Sequence, residues 1–279
     1  MISIPNFPQS QLIRLSQGQL NLLESCPRKF QHTYLEQLRP PLDPKHEEKQ
    51  LLGSRFHLLM QQQEMGLKIS SFLQTDSQLQ SWMNTFASIA PDILTPADNS
   101  ETFRESEHYR TLQIQDYLLT AIYDLLIADK EKAQILDWKT YRQPPSKRKL
   151  QYNWQTRLYM YVLAESSNYQ PENISMTYWF VQSESKPHNI KFSYSSSQHQ
   201  QTKKKLDRHL KKLTKWLQAY QRGEQLPQVP EGNKTCIDCQ YASRCQRVSA
   251  NLEEKSSSQD LLGVNNTLLN LANIEEVPL

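Results

Sequence analysis

Apolar residues recur at two different periods along this chain. Within 12–38, Leu20, Leu23, Phe30, Tyr34 and Leu38 fall at roughly helical spacing. That stretch reads as one or two helices, with Ser16 and Gln19 offering an N-cap and a capping box. Pro40 and Pro41 interrupt the pattern. A second helix is expected over about 46–66, with Leu51, Leu52, Phe56, Leu59 and Met60 as its buried face, and a third over 76–88. The period then shortens to that of strands, over 103–115, 117–128 and 133–138. The connection between the last two is short and polar, so they are expected to form an antiparallel hairpin.

A helix is expected over about 147–166, strands over 174–181 and 189–194, and an amphipathic helix over 197–222 with Leu206, Leu210, Leu213, Leu217 and Tyr220 inward. Helices, three strands, a helix, two strands and a closing helix make a mixed α/β protein, a mixed sheet flanked by helices with a helical N-terminal portion. Residues 1–249 read as one domain, in which the loop 227–233 leads to a cluster of cysteines. Residues 250–279 read as a weakly ordered tail, whose Leu261, Leu262, Leu268, Leu269 and Leu271 offer a short partner-binding helix.

Composition narrows the class. Of 279 residues, 37% are hydrophobic, and no apolar run is long enough to cross a bilayer. The N-terminus lacks a basic stretch followed by an apolar one, so no secretory signal is read there and a cytoplasmic, membrane-free protein is expected. A net charge of +3 does not by itself establish a nucleic-acid partner. The charge is clustered, however, in Lys147-Arg148-Lys149, Lys203-Lys204-Lys205 and Lys211-Lys212. Such clusters can form a phosphate-binding surface. For the two later ones a solvated helix face is at least as good a reading.

Opposite charges interrupt the hairpin. Asp137 and Lys139 alternate to one face of their strand while Trp138 turns to the other. Asp124 lies in an otherwise apolar run on the preceding strand, and the polar turn lets it approach Asp137. Two close carboxylates repel, burial sharpens the repulsion, and a divalent cation relieves both. Lys139 beside them suits a water or a phosphoryl group gaining negative charge. A cross-strand Asp–Lys ion pair with Asp124 exposed remains the plainer alternative. His57, on the second helix, offers a nitrogen ligand or is an ordinary surface imidazole. Gln155 and Tyr159 share a helix face, to orient the lysine, to hold a DNA strand or simply to pack.

The 4 cysteines form Cys236-x-x-Cys239-x5-Cys245 plus the remote Cys26. A reducing cytosol disfavours disulfides, and four thiolates fit one four-ligand site. Iron–sulfur and zinc both suit it.

These segments, in this order, resemble the PD-(D/E)XK nucleases of the RecB/AddB type, related to the CRISPR-associated exonucleases that carry an iron–sulfur cluster. The resemblance rests on Leu15 to Phe30, Gly53-x-x-x-His57, Ile122-Tyr123-Asp124, Ile135-Leu-Asp-Trp-Lys-Thr140, Gln155-x-x-x-Tyr159 and the last three cysteines. It implies a restriction-endonuclease-like core. His57, Asp124 and Asp137, helped by the Trp138 carbonyl, would bind Mg²⁺ or Mn²⁺, with Glu107 as an extra acidic candidate. Lys139 would position or activate water, and Gln155 and Tyr159 would support the site. Cys26, Cys236, Cys239 and Cys245 would hold a [4Fe-4S] cluster, with zinc as the rival, and Lys147, Arg148 and Lys149 would follow DNA.

Two positions depart from the family pattern: Ala121 and Tyr141 stand where glycine is usual. No G-x-x-x-x-G-K-[ST] occurs, so the nuclease module stands here without a helicase motor, and a helicase or other DNA-processing protein is the kind of partner implied. The expected activity is metal-dependent hydrolysis of DNA at single-stranded or frayed ends, in repair, recombination or CRISPR-type processing. The alternative is a non-catalytic DNA-binding or assembly subunit with the same fold and cluster.

Overall fold

The computed structural model describes residues 12–38, 44–94, 101–141, 144–182 and 188–247. The 250–279 tail and its leucines lie outside the described residues. The chain divides into a unit ending at Val229 and a second starting at Pro230.

The first unit is built on one mixed sheet of six strands. In chain order its elements are β1 (Ile13–Leu15), α1 (Gln17–Ser25), α2 (Pro27–Phe30), α3 (Pro44–Glu64), α4 (Ser70–Thr75), α5 (Ser77–Ile89) and α6 (Pro91–Leu94). Then come β2 (Phe103–Ile114), β3 (Tyr117–Ala128), β4 (Ala133–Lys139), α7 (Lys147–Tyr152), α8 (Trp154–Glu165), β5 (Ile174–Phe180), β6 (His188–Ser193) and α9 (Ser196–Gln221). A π-helical turn, Gln31–Leu35, follows α2.

The alternating stretches fold as the expected strands, and β3 and β4 form the expected antiparallel hairpin. Three expectations need correction. Residues 13–15 are not helical but extend along the start of β3 in parallel. The helix expected over 147–166 is two helices, because Asn153 is extended and its side chain caps α8 by accepting the Gln155 N–H at 2.8 Å. Leu51 does not belong to the buried face of α3; it is 61% exposed.

β3 organises the sheet. Along one edge it pairs with β2 in antiparallel register, with a break at Glu107 and Asp124. On the other edge β1 pairs only with 117–119 and β4 only with 125–128. Residues 120–124 therefore have no strand partner on that edge. The hydroxyl of Tyr159, on α8, reaches into the gap and takes a hydrogen bond from the Ile122 backbone. β4 continues in parallel with β5, reached through α7 and α8, and β5 pairs antiparallel with β6. A parallel pair requires such a crossover.

Two apolar clusters cover the two faces. One joins α1, α2, α8 and α9 to the sheet around Leu20, Phe30, Trp154, Leu158 and Leu206. The other joins α3 and α5 through Phe56, Trp82 and Phe86 to Trp138 and Trp179. Trp138 thus faces the core, as its alternation requires, and α8 is buried almost all round. Each large apolar side chain buried in these clusters contributes about 1.5–3 kcal/mol. That sum holds a sheet that carries charges in its interior.

The polar residues of the π-helical turn are also paired. Gln31 accepts the Leu226 N–H at 2.7 Å and donates to Glu36 at 2.6 Å, and the Arg28 side chain donates to the Leu226 carbonyl at 2.7 Å. This fastens 226–227 to the N-terminal helices.

In the second unit, Asn233 Oδ1 accepts the Thr235 N–H at 2.9 Å and opens a turn through Lys234–Cys236. Among the described residues no helix is long and apolar enough to cross a membrane.

Candidate active site

The site begins where β3 changes face. Tyr117, Leu119, Ala121 and Tyr123 face the α8 side, at odd positions; Leu126 and Ala128 face it at even ones. Between them Leu125 faces α3 and α5. β2 makes the same change at the residue opposite Asp124, Glu107, whose φ is +51°. A side chain in this left-handed region costs of order 1 kcal/mol, and such strain gathers at functional sites. The double change leaves Glu107 and Asp124 at the seam between the two cores.

His57 comes to this seam from α3. Its Nδ1 lies 3.4 Å from Asp124 Oδ1, and its Nε2 lies 3.1 Å from the Trp138 carbonyl oxygen. Gly53, one helical turn before it, allows the approach, since a Cβ there would stand 3.0 Å from Thr140 Oγ1. One ligand atom each from His57, Glu107 and Asp124 lies within 4.8 Å of the others. Asp124 Oδ2 also accepts the Trp138 N–H at 2.6 Å.

Asp137 is buried, 1% exposed. Its Oδ2 accepts a 2.6 Å hydrogen bond from Gln155, and its Oδ1 pairs with the Lys139 ammonium and with no other partner among the described residues. Lys139 also sits over the Tyr178 ring, 5.4 Å from its centroid. Burial, then the charge of Asp124, pushes the Asp137 carboxyl up to about 7, against the pull of Lys139. Burial followed by Asp124 raises Glu107 as well. For His57, burial lowers the proton affinity, but the hydrogen bond and charge of Asp124 outweigh it and the net direction is upward. For Lys139, burial lowers it and the charges of Asp137 and Asp124 reverse the sign. Asp124 is therefore the common neighbour of every charged group in the site.

The residues singled out in the sequence fall into three places. His57, Asp124 and Glu107 converge on one point. Asp137, Lys139 and Gln155 form a second group, and the Trp138 carbonyl faces His57 rather than a group of carboxylates. Tyr159 fills the gap beside Ile122, with its ring against Tyr123 at 5.3 Å. Lys147, Arg148 and Lys149 are exposed on the first turn of α7, with Lys147 over the Phe192 ring. Cys26 ends α1 in extended conformation, just before Pro27 starts α2. Cys236, Cys239 and Cys245 lie on the turns of the second unit, and none of the four cysteines is in a disulfide. Tyr178 was not legible as part of the site, because only the parallel pairing of β4 with β5 sets it beside Asp137.

The donor set fits a small divalent cation. One imidazole and two carboxylates within 4.8 Å suit Mn²⁺ or Mg²⁺ better than a soft metal. The raised carboxyls also point to negative charge that lacks compensation.

The mixed sheet thus gathers an imidazole, acids and a lysine where two strands part. The family model of the PD-(D/E)XK nuclease superfamily matches residues 14–246, and the chain belongs to that superfamily. Its six-stranded sheet flanked by helices is accordingly a restriction-endonuclease-like fold. No curated protein matches the chain. Among solved structures it is similar to a Eubacterium rectale protein with the provisional name exonuclease, at 12% identity and TM-score 0.49, over 89% of this chain and 94% of that one. It is also similar to SSO0001, at 12% identity and TM-score 0.38, over 87% and 89%. These two likenesses are of loose outline.

Proposed function

We propose that this protein is a divalent-metal-dependent nuclease that hydrolyses phosphodiester bonds of DNA, as an exonuclease at single-stranded or frayed ends. One observation carries the reading: His57, Glu107 and Asp124 gather their ligand atoms within 4.8 Å of one another beside the Asp137–Lys139 pair. His57, Glu107 and Asp124 would hold Mg²⁺ or Mn²⁺, with Asp137 and the Trp138 carbonyl at the edge of the same site. The cation supplies Lewis-acid polarisation of the phosphate and a more acidic water.

The other roles belong to the chain. Asp137 holds the Lys139 ammonium in place, and Gln155 fixes the Asp137 carboxylate from the opposite oxygen. A preset ammonium in a site shielded from water meets negative charge growing at phosphorus without reorganising, which is where electrostatic catalysis is most effective. Tyr178 beneath Lys139 limits the directions that the ammonium can take. Tyr159 keeps the sheet gap closed behind the acids. Lys147, Arg148 and Lys149 would follow the DNA backbone, a contact that carries little sequence information.

The cysteine spacing supports a four-thiolate site of Cys26, Cys236, Cys239 and Cys245 for a [4Fe-4S] cluster, or for zinc. The setting we infer is cytoplasmic DNA repair, recombination or CRISPR-type processing, with a helicase or another DNA-processing protein as partner.

Digestion of end-labelled single- and double-stranded DNA with Mg²⁺ or Mn²⁺ tests the reading. Cleavage should stop with a chelator and with Asp137→Ala, while the variant's circular dichroism stays that of the wild type. Cleavage that survives both would remove the assignment. Protein purified anaerobically should be brown if the thiolates hold iron–sulfur and colourless if they hold zinc.

A further inference from the structure

The basic run in α9 repeats at a spacing that aligns part of it. Gln201, Lys204, Lys205, Arg208 and Lys212 fall at helical intervals on one face, and all five line a cleft of about 500 Å³. Arg157 of α8 and His209 complete the basic wall, and Glu24 is the one carboxylate on it. Lys205 is committed: it pairs with Glu24 at 2.6 Å and lies over the Trp154 ring at 5.1 Å. Lys204, Arg208 and Lys212 are exposed, and none of them is in an ion pair with a carboxylate among the described residues. Four cations in one concave surface repel each other, and a polyanion relieves that repulsion.

A second cavity adjoins the first. Arg157 and Gln201 line both. This smaller one, about 60 Å³, is walled by Tyr152, Phe192 and Tyr194 and by the amides of Gln151 and Gln198. Tyr152 is 53% exposed, and the Arg157 guanidinium sits 5.0 Å from its ring centroid. An exposed aromatic ring with neighbouring amides suits an unstacked base, and a groove of cations suits its phosphates.

We propose that α8 and α9 carry a nucleic-acid track distinct from the active site, which takes one single strand: phosphates along Arg157, Lys204, Arg208 and Lys212, and a base against Tyr152. A duplex keeps its bases stacked inside and could use only the phosphate half. The basic triplet of α7, which ends at Tyr152, extends the same track toward the start of α7. The proposal deepens the nuclease reading by naming the substrate form, and it rests on that reading.

The test is fluorescence anisotropy of labelled oligothymidylate in chelator, so that binding is read without cleavage, over a range of salt. Lys204→Glu/Arg208→Glu/Lys212→Glu should weaken binding at least about tenfold and lower the log–log salt slope by about 2, since each single-strand phosphate contact carries about 0.7. Lys203→Glu/Lys211→Glu/Lys215→Glu makes the same charge change on α9 outside the cleft. It should weaken binding far less. Tyr152→Ala should weaken binding to oligothymidylate but not to an abasic oligonucleotide. Circular dichroism and hydrolysis of bis-(p-nitrophenyl) phosphate with Mn²⁺ should be unchanged in all three.

Equal losses in the two triple variants, unchanged binding in the cleft variant, or polyglutamate competing as well as unlabelled oligothymidylate would overturn the track. Metal-dependent hydrolysis persisting in that case would leave the nuclease reading standing. Loss of hydrolysis in the wild type itself would strike that reading instead.

Discussion

The Asp124 carboxylate accepts the Trp138 backbone N–H at 2.6 Å just beyond the last paired residues of the two strands, Asp124 one residue past Leu125 and Trp138 two past Leu136. The side chain replaces the missing rung of the ladder with one oxygen and turns the other toward His57. The two tasks separate by substitution. Asp124→Asn keeps an oxygen for Trp138 but loses the charge, so the melting temperature should hold while metal-dependent cleavage falls at least about 100-fold. Asp124→Ala should lose the same activity and a further 1–2 kcal/mol or so of stability, because the Trp138 N–H is left without its acceptor. Paired thermal melts and Mn²⁺ titration calorimetry read both. Equal melting temperatures for the two variants would count against the structural half.

Glu107 combines backbone strain with an acid whose proton is held by burial and by Asp124. Glycine relaxes the first and removes the second. Glu107→Gly should therefore stabilise the metal-free protein by about 1 kcal/mol and weaken Mn²⁺ binding. Glu107→Ala, still strained, should lose the cation without the full gain. A Glu107→Gly protein that melts lower than wild type would show that the carboxylate supports the fold.

Much of this arrangement is written in the sequence, and the unwritten part has a physical cause. The strands, the hairpin and the individual chemical groups follow from period-two alternation and from charges within apolar runs. The convergence of Glu107 with His57 does not, because alternation places Glu107 by its neighbours and the face change at Asp124 reverses that placement. A signal exists in Leu125-Leu126, two consecutive buried residues in a strand that otherwise alternates. β1 does not show in the sequence because three residues are too few to display a period and its pairing partner lies about a hundred residues on. The apolar period runs through Asn153 without a break, and the signal against one helix is chemical: asparagine is a strong N-cap and a weak helix former. Tyr178 was invisible, because nothing local records which strand will lie beside β4.

Gly53 places its helix against the end of β4. A Cβ there would meet Thr140 Oγ1 at 3.0 Å, a contact that one of the two must yield. Gly53→Ala gains helix propensity, about 1 kcal/mol, but pushes at the residue next to Lys139. The expected result is slower cleavage with little change in melting temperature. Thr140→Ala in the same chain removes the obstructing oxygen and should restore the rate. Failure of that rescue, measured as kcat on one oligonucleotide, would mean that Gly53 acts through something other than this contact.

Asp137 makes the metal-free protein sensitive to pH. Its carboxyl in the unfolded chain has the ordinary value of 3.8, and in the fold burial and then Asp124 push it up to about 7. Between those values the native state holds a proton that the unfolded chain has released, so stability must fall as pH rises through the window. Glu107 and His57, both raised, act with the same sign. The slope from Asp137 alone is at most about 1.4 kcal/mol per pH unit, and Lys139 reduces it. Cation binding displaces the proton, so Mn²⁺ affinity should rise over the same window while the metal-free melting temperature drops. Asp137→Asn, which cannot titrate, should flatten most of the metal-free slope. A wild-type melting curve already flat from about pH 4 to about pH 7 would mean that Lys139 keeps Asp137 ionised throughout, and the buried pair would then be a preformed charge rather than a proton store.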